Sequence, residues 1–89
     1  MKRPVDIYEY MIEHKIGFNQ ASSIKEISEY FESNIWDFRM ADKVFRVGLN
    51  YLKSTRNEKE LDNLKHYYQN FYKRMKRKCF GEIEEAFTK

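Results

Sequence analysis

Phe38-Arg39-Met40-Ala41-Asp42-Lys43-Val44-Phe45-Arg46-Val47-Gly48-Leu49-Asn50-Tyr51-Leu52-Lys53 holds two interleaved stripes. Phe38, Ala41, Phe45, Gly48, Leu49 and Leu52 recur at steps of three and four, or beside such a step, and Val44 and Tyr51 widen the row. That period is the mark of a helix with one buried face. Arg39, Lys43, Arg46, Asn50 and Lys53 follow one another at steps of 4, 3, 4 and 3, so they share the opposite face. The pattern predicts a helix over about residues 35–54. Asn34 would cap it, and Asp37 would stand three residues on, where negative charge suits the helix dipole.

Outward from this stretch the same period recurs. Upstream, a first helix is expected from Pro4, where a missing N–H costs nothing. Its stripe is Val5, Ile7, Tyr8, Met11, Ile12 and Ile16, and Gly17 ends it, with Phe18 folding back. Ser23-Ile24-Lys25-Glu26 fits a capping box for a second helix that runs to about residue 32, with Ile24, Ile27 and Phe31 turned inward. Downstream, Thr55 with Glu58, or Asn57 with Glu60, would cap a fourth helix over residues 58–80. Leu61, Leu64, Tyr68, Phe71 and Met75 form a short heptad seam on it. Gly81 would end it, and residues 82–88 would add a short terminal helix anchored by Ile83 and Phe87. Strand pairs flanking a hairpin signal are absent from the sequence. The fold class expected is all-α: a small bundle with a helix-turn-helix-like core of three helices over residues 5–54 and a long basic fourth helix, in one domain spanning residues 1–89.

The chain has 89 residues, so it buries only about 60–65% of its unfolded surface and has little room for a deep cleft. Charged residues make up 35% and hydrophobic ones 42%, too apolar a balance for a disordered chain. No apolar run reaches membrane-spanning length, and acids follow the first residues too closely for a secretory leader. One cysteine, Cys79, cannot form an internal disulfide; it reads as a small apolar residue near the end of the seam. A cytoplasmic location is the resulting expectation, with no membrane partner.

Catalytic patterns are weak. His14 and His66 stand on different predicted helices, with no Ser or Cys at motif spacing, and neither joins Cys79 in a metal-type spacing. The carboxylates occupy ordinary helix-surface positions. No catalytic residue, metal or cofactor is therefore expected, and the chain is not expected to be an enzyme.

Charge is unevenly distributed. Residues 1–52 carry 7 Lys/Arg and 8 Asp/Glu, whereas residues 53–89 carry 10 and 6. Residues 65–78 hold six bases and no acid: Lys65, Lys73, Arg74, Lys76, Arg77 and Lys78. Such a cluster can track phosphates, or simply solvate a helix end where cations complement the dipole. Tyr67, Tyr68, Phe71 and Tyr72 lie just before it and could stack on unpaired bases, or fill the core. On the third helix, arginine can fork onto guanine, asparagine onto adenine, and lysine can neutralise phosphate. The same row would also serve as a solvated charged face.

Ile7-Tyr8-Glu9-Tyr10-Met11, then Gly17, then Ser23-Ile24-Lys25-Glu26-Ile27-Ser28-Glu29 resembles the opening of winged helix-turn-helix domains, the DNA-binding domain of the LexA repressor in particular. Val44, Leu49 and Leu52 resemble that family's third helix. The likeness covers about residues 5–54. It implies a DNA-binding regulator whose third helix reads duplex DNA, with Arg39, Lys43, Arg46 and Asn50 as the residues of that recognition helix that would carry the contact. No two-stranded wing follows Lys53, so phosphate contacts would come from the fourth helix. The alternative is a protein-interaction module, an inhibitor or adaptor of a nucleic-acid-processing protein, docking through acids such as Glu26, Glu29 and Glu32. Two features bear on partners. The seam of Leu61, Leu64, Tyr68, Phe71 and Met75 would either wrap the first three helices or pair with a second copy. Trp36 would be a core anchor or a partner contact.

Overall fold

The computed structural model describes residues 3–77. They form a small all-α bundle: α1 (Pro4–His14), α2 (Ala21–Tyr30), a single π-helical turn (Phe31–Ile35), α3 (Phe38–Ser54) and α4 (Glu58–Met75). No strand occurs among the described residues, so no wing follows α3 within them. The expected terminal helix over residues 82–88, its anchors Ile83 and Phe87, and Gly81, Cys79 and Lys78 lie outside the described residues.

The core sits where α2, α3 and α4 meet. Ile24, Ile27 and Phe31 come from α2 and the turn after it; Ala41, Val44, Phe45 and Leu52 come from α3; Leu64 and Phe71 come from α4. All are buried. Gly48 lets α3 approach both neighbours. A Cβ there would stand 2.8 Å from Ile24 Cγ2 and 3.0 Å from Leu64 Cδ2, closer than packed carbons tolerate. Phe45 packs its ring 5.2 Å from that of Phe71, so the aromatic surplus is partly core.

Two long-range contacts set the direction of α4. The Ala21 amide at the start of α2 donates to the Glu60 carboxylate at 3.4 Å. At the other end Arg74 donates to both oxygens of Glu32, each at 3.0 Å. Hence α2 and α4 run the same way, and α3 returns between them. Ser28, buried on α2, donates to the Ala41 carbonyl of α3 at 2.9 Å, which satisfies a hydroxyl that would otherwise be orphaned. α1 is attached more lightly. Its Ile12 is buried, and its Tyr8 ring stacks 4.4 Å from that of Tyr30.

Several boundaries differ from the sequence expectation, each for a local reason. α2 starts at Ala21 rather than Ser23, because Glu60 from another helix caps it. α3 starts at Phe38 rather than Ile35. The Asp37 carboxylate accepts from the Met40 amide at 3.0 Å, so Asp37, not Asn34, is the cap. Between them the chain makes its π-turn and then passes through Trp36 in the left-handed region (φ 58°), with the Asp37 amide donating back to the Phe31 carbonyl. Asn57 caps α4, accepting from the Glu60 amide at 3.4 Å. α1 ends at His14 with Lys15 left-handed, and Gly17 (φ 80°) turns the chain so that Phe18 enters the core. Ile7 and Ile16, expected in the first stripe, are exposed; Val5, Tyr8, Met11 and Ile12 carry it instead.

The seam on α4 also has a settled address. Leu64 and Phe71 are fully buried within this chain, and Leu61, Tyr68 and Met75 pack against the same core. Of the two roles expected for the seam, the structure shows the first: it holds α4 to α2 and α3, with Leu61, Tyr68 and Met75 half-buried at its edge.

Candidate nucleic-acid interface

The basic row of α3 stands outside this core. Arg39, Lys43, Arg46, Asn50 and Lys53 are all exposed. They project from the side of α3 opposite Ala41, Val44, Phe45 and Leu52, because the two sets lie half a turn apart on one helix. Packing against α2 and α4 fixes the buried face, so the position of the exposed face follows from it.

One member of the row carries an internal partner. Arg46 Nε lies 2.8 Å from Asp42 Oδ2, four residues back on the same helix. The other oxygen of Asp42 accepts the hydroxyl of Tyr68 from α4. The Tyr68 hydroxyl and the Asp42 carboxylate together raise Arg46 above its ordinary value, so it stays charged. Burial, with the bond to Asp42, pushes the Tyr68 hydroxyl up, so Tyr68 remains the protonated donor at neutral pH. The Arg46 side chain is still 69% exposed and can turn its outer nitrogens to a phosphate.

The second basic cluster is divided by the fold. Lys73, Lys76 and Arg77 are exposed. Arg74 is only half-buried, but its guanidinium is already engaged. It turns inward and holds Glu32, which is only 3% exposed, through two parallel bonds. The bond to Glu32 keeps Arg74 above its ordinary value. Arg74 is thus corrected from a phosphate contact to a structural one, and Glu32 is removed from the acidic docking surface. No local signal links residues 42 apart. A weaker signal was present: Glu32 stands four residues after Ser28, in phase with the buried stripe of α2.

Between α3 and α4 the surface is grooved. A hollow of about 390 Å³ is lined by half-buried Phe38, Asp42, Tyr68 and Met75, with exposed Arg39, Arg46 and Tyr72 around them. Tyr72 also borders a second hollow that reaches Lys73, which brings the α4 base to the same surface as the α3 row. Trp36 stands beside the hollow, 64% exposed, with its ring edge-on to Phe38 at 5.5 Å. Trp36 is therefore a surface residue and not a core anchor. Helical spacing puts Phe38 in the core row but does not show the groove, because a groove between helices depends on how two stripes meet.

α1 carries an acidic surface. Asp6, Glu9 and Glu13 line a shallow hollow on α1 together with Tyr10. Among the described residues no group of three or more His, Cys, Asp or Glu could hold a metal ion. No helix of those residues is long and apolar enough to cross a membrane. Comparison with protein-family models, curated proteins and solved structures finds no match to this chain.

Proposed function

We propose that this protein binds duplex DNA through the exposed face of α3, as a small regulatory protein. The observation that carries this reading is the row itself: Arg39, Lys43, Arg46, Asn50 and Lys53, all exposed on one face of a helix whose other face is core. Lys73 on α4, with Lys76 and Arg77 just past its end, extends the positive surface and supplies phosphate contacts. An α-helix fits the major groove, and arginine and asparagine are the side chains that fork onto guanine and adenine there. The winged helix-turn-helix likeness of residues 5–54 agrees with α3 as the reading helix, with α4 taking the place of a wing.

The test is fluorescence anisotropy with a labelled random-sequence duplex, titrated at low and moderate salt. Micromolar binding that collapses with added salt is expected. Lys43→Ala should weaken it at every sequence and lower the salt slope by about one. Absence of binding at low salt would overturn the reading.

A protein partner on the acidic side is the second reading. It is favoured by Ile7 and Tyr10, about half exposed one turn apart on α1, flanked by Glu9 and Glu13. Glu9→Lys with Glu13→Lys would then abolish capture of a basic partner while leaving DNA binding intact.

A further inference from the structure

The groove between α3 and α4 is more than a positive surface. Its lining combines the rings of Phe38, Tyr68 and Tyr72 with Arg39 and Arg46, and Trp36 continues the aromatic surface past Phe38. Among the described residues that line it, Asp42 is the single acid, and its two oxygens are turned to Tyr68 and Arg46. Rings that offer a flat face, cations around them and a fixed carboxylate inside suit a planar, hydrogen-bonding, negatively tethered ligand. A nucleobase on its phosphate chain has those three properties. Aromatic faces take any base, and arginine adds a cation–π contact.

An acidic helix from a protein would match the charge but not the shape. It needs apolar anchors spaced over several turns. Here the apolar lining of the groove lies beside the N-terminal half of α3, and beyond it Asn50 and Lys53 continue the exposed row as polar residues.

We infer that the hollow lined by Phe38, Tyr68 and Tyr72 receives an unpaired nucleobase next to the duplex held by the α3 row, so that the preferred ligand is a duplex with a single-stranded tail. The inference rests on the DNA-binding reading for the position of the duplex, but the tail has its own readout. Trp36 is the chain's one tryptophan, and its ring contact with Phe38 makes it a reporter of occupancy in the neighbouring hollow.

The experiment compares a blunt hairpin duplex, the same hairpin carrying an oligothymidine tail, and the tail alone. Affinity and Trp36 fluorescence are both followed. The tail should tighten binding roughly 5- to 150-fold, the value of stacking one base on an aromatic ring, and quench Trp36. Tyr72→Ala should remove that gain and leave blunt-hairpin affinity unchanged, since Tyr72 is 53% exposed and outside the core. Tyr72→Phe should keep it. A tail that adds nothing, or a gain that survives Tyr72→Ala, overturns the inference and leaves the duplex reading standing. Quenching by the tail alone, lost in Tyr72→Ala, with no binding of the blunt hairpin, supports the hollow as a base site and overturns the duplex reading. Polyglutamate quenching Trp36 as strongly as the tail would show a groove that reads charge alone, and would overturn the base site.

Discussion

Two arginines illustrate how differently one residue type is used here. Arg74 reaches from α4 to Glu32, 42 residues away, and forks onto a carboxylate that has almost no contact with water. Arg46 meets Asp42 within a single turn of α3, with its own side chain 69% exposed. The first pair joins two parts of the chain; the second stays on a surface. A carboxylate taken out of water must be paired, whereas an exposed ion pair contributes little because water and salt screen it. Burial of the acid, rather than the presence of the base, decides which arginine is available to a ligand.

The largest expected effect breaks the first pair from its exposed side. Arg74→Ala leaves Glu32 buried without its partner and should cost about 3 kcal/mol, the lower end for a broken buried pair because Arg74 itself is 38% exposed. For a domain of this size that lowers Tm by more than about 10 °C. Glu32→Gln should cost less, since a neutral amide still accepts one bond and Arg74 can turn to water. Thermal unfolding followed by circular dichroism checks both, and equal losses would contradict the asymmetry.

A smaller effect lies at Asp42. Tyr68→Phe removes one hydrogen bond at the α3–α4 contact and should cost about 1 kcal/mol. The pH dependence has a definite sign. Tyr68 is held above its ordinary value of 10.0 by burial first and then by Asp42. The folded state therefore keeps this proton longer than the unfolded chain does. The contribution is complete below about pH 10 and is lost as pH rises through the folded-state value. Wild-type stability should fall more steeply above pH 10 than that of Tyr68→Phe in chemical denaturation.

Arg46→Ala should change Tm least of these four variants, yet it should change binding. On the DNA-binding proposal, with Arg46 on a phosphate, Arg46→Ala lowers the salt slope of duplex binding by about one. Arg74→Ala, measured where it is still folded, should leave that slope unaltered. If the two variants lowered it equally, the division of the bases into structural and ligand-facing groups would be wrong.

Much of the architecture was legible from periodicity. Ile24, Ile27, Phe31, Ala41, Phe45 and Leu52 were assigned to the core from spacing, and all six are buried. Asp37 was seen as helpful to α3, but its part as the cap was not, because Asn34 and Asp37 both fit and only the π-turn separates them. The capping of α2 by Glu60 was out of reach, since the donor and acceptor stand 39 residues apart.

The sequence by itself determined that α3 would have one apolar and one basic face, because helical period is a local property that side-chain spacing records. It also determined the all-α class. Tertiary structure decided which charges stay on the surface. Arg74 looks like its neighbours Lys73 and Lys76 in the chain, and only the approach of the turn after α2 brings a buried carboxylate to it. The hollow beside Tyr72 has the same origin, for its lining is shared by two helices joined only through packing. Desolvation and cross-helix contact depend on what lies opposite in space, and no spacing along one chain segment records that.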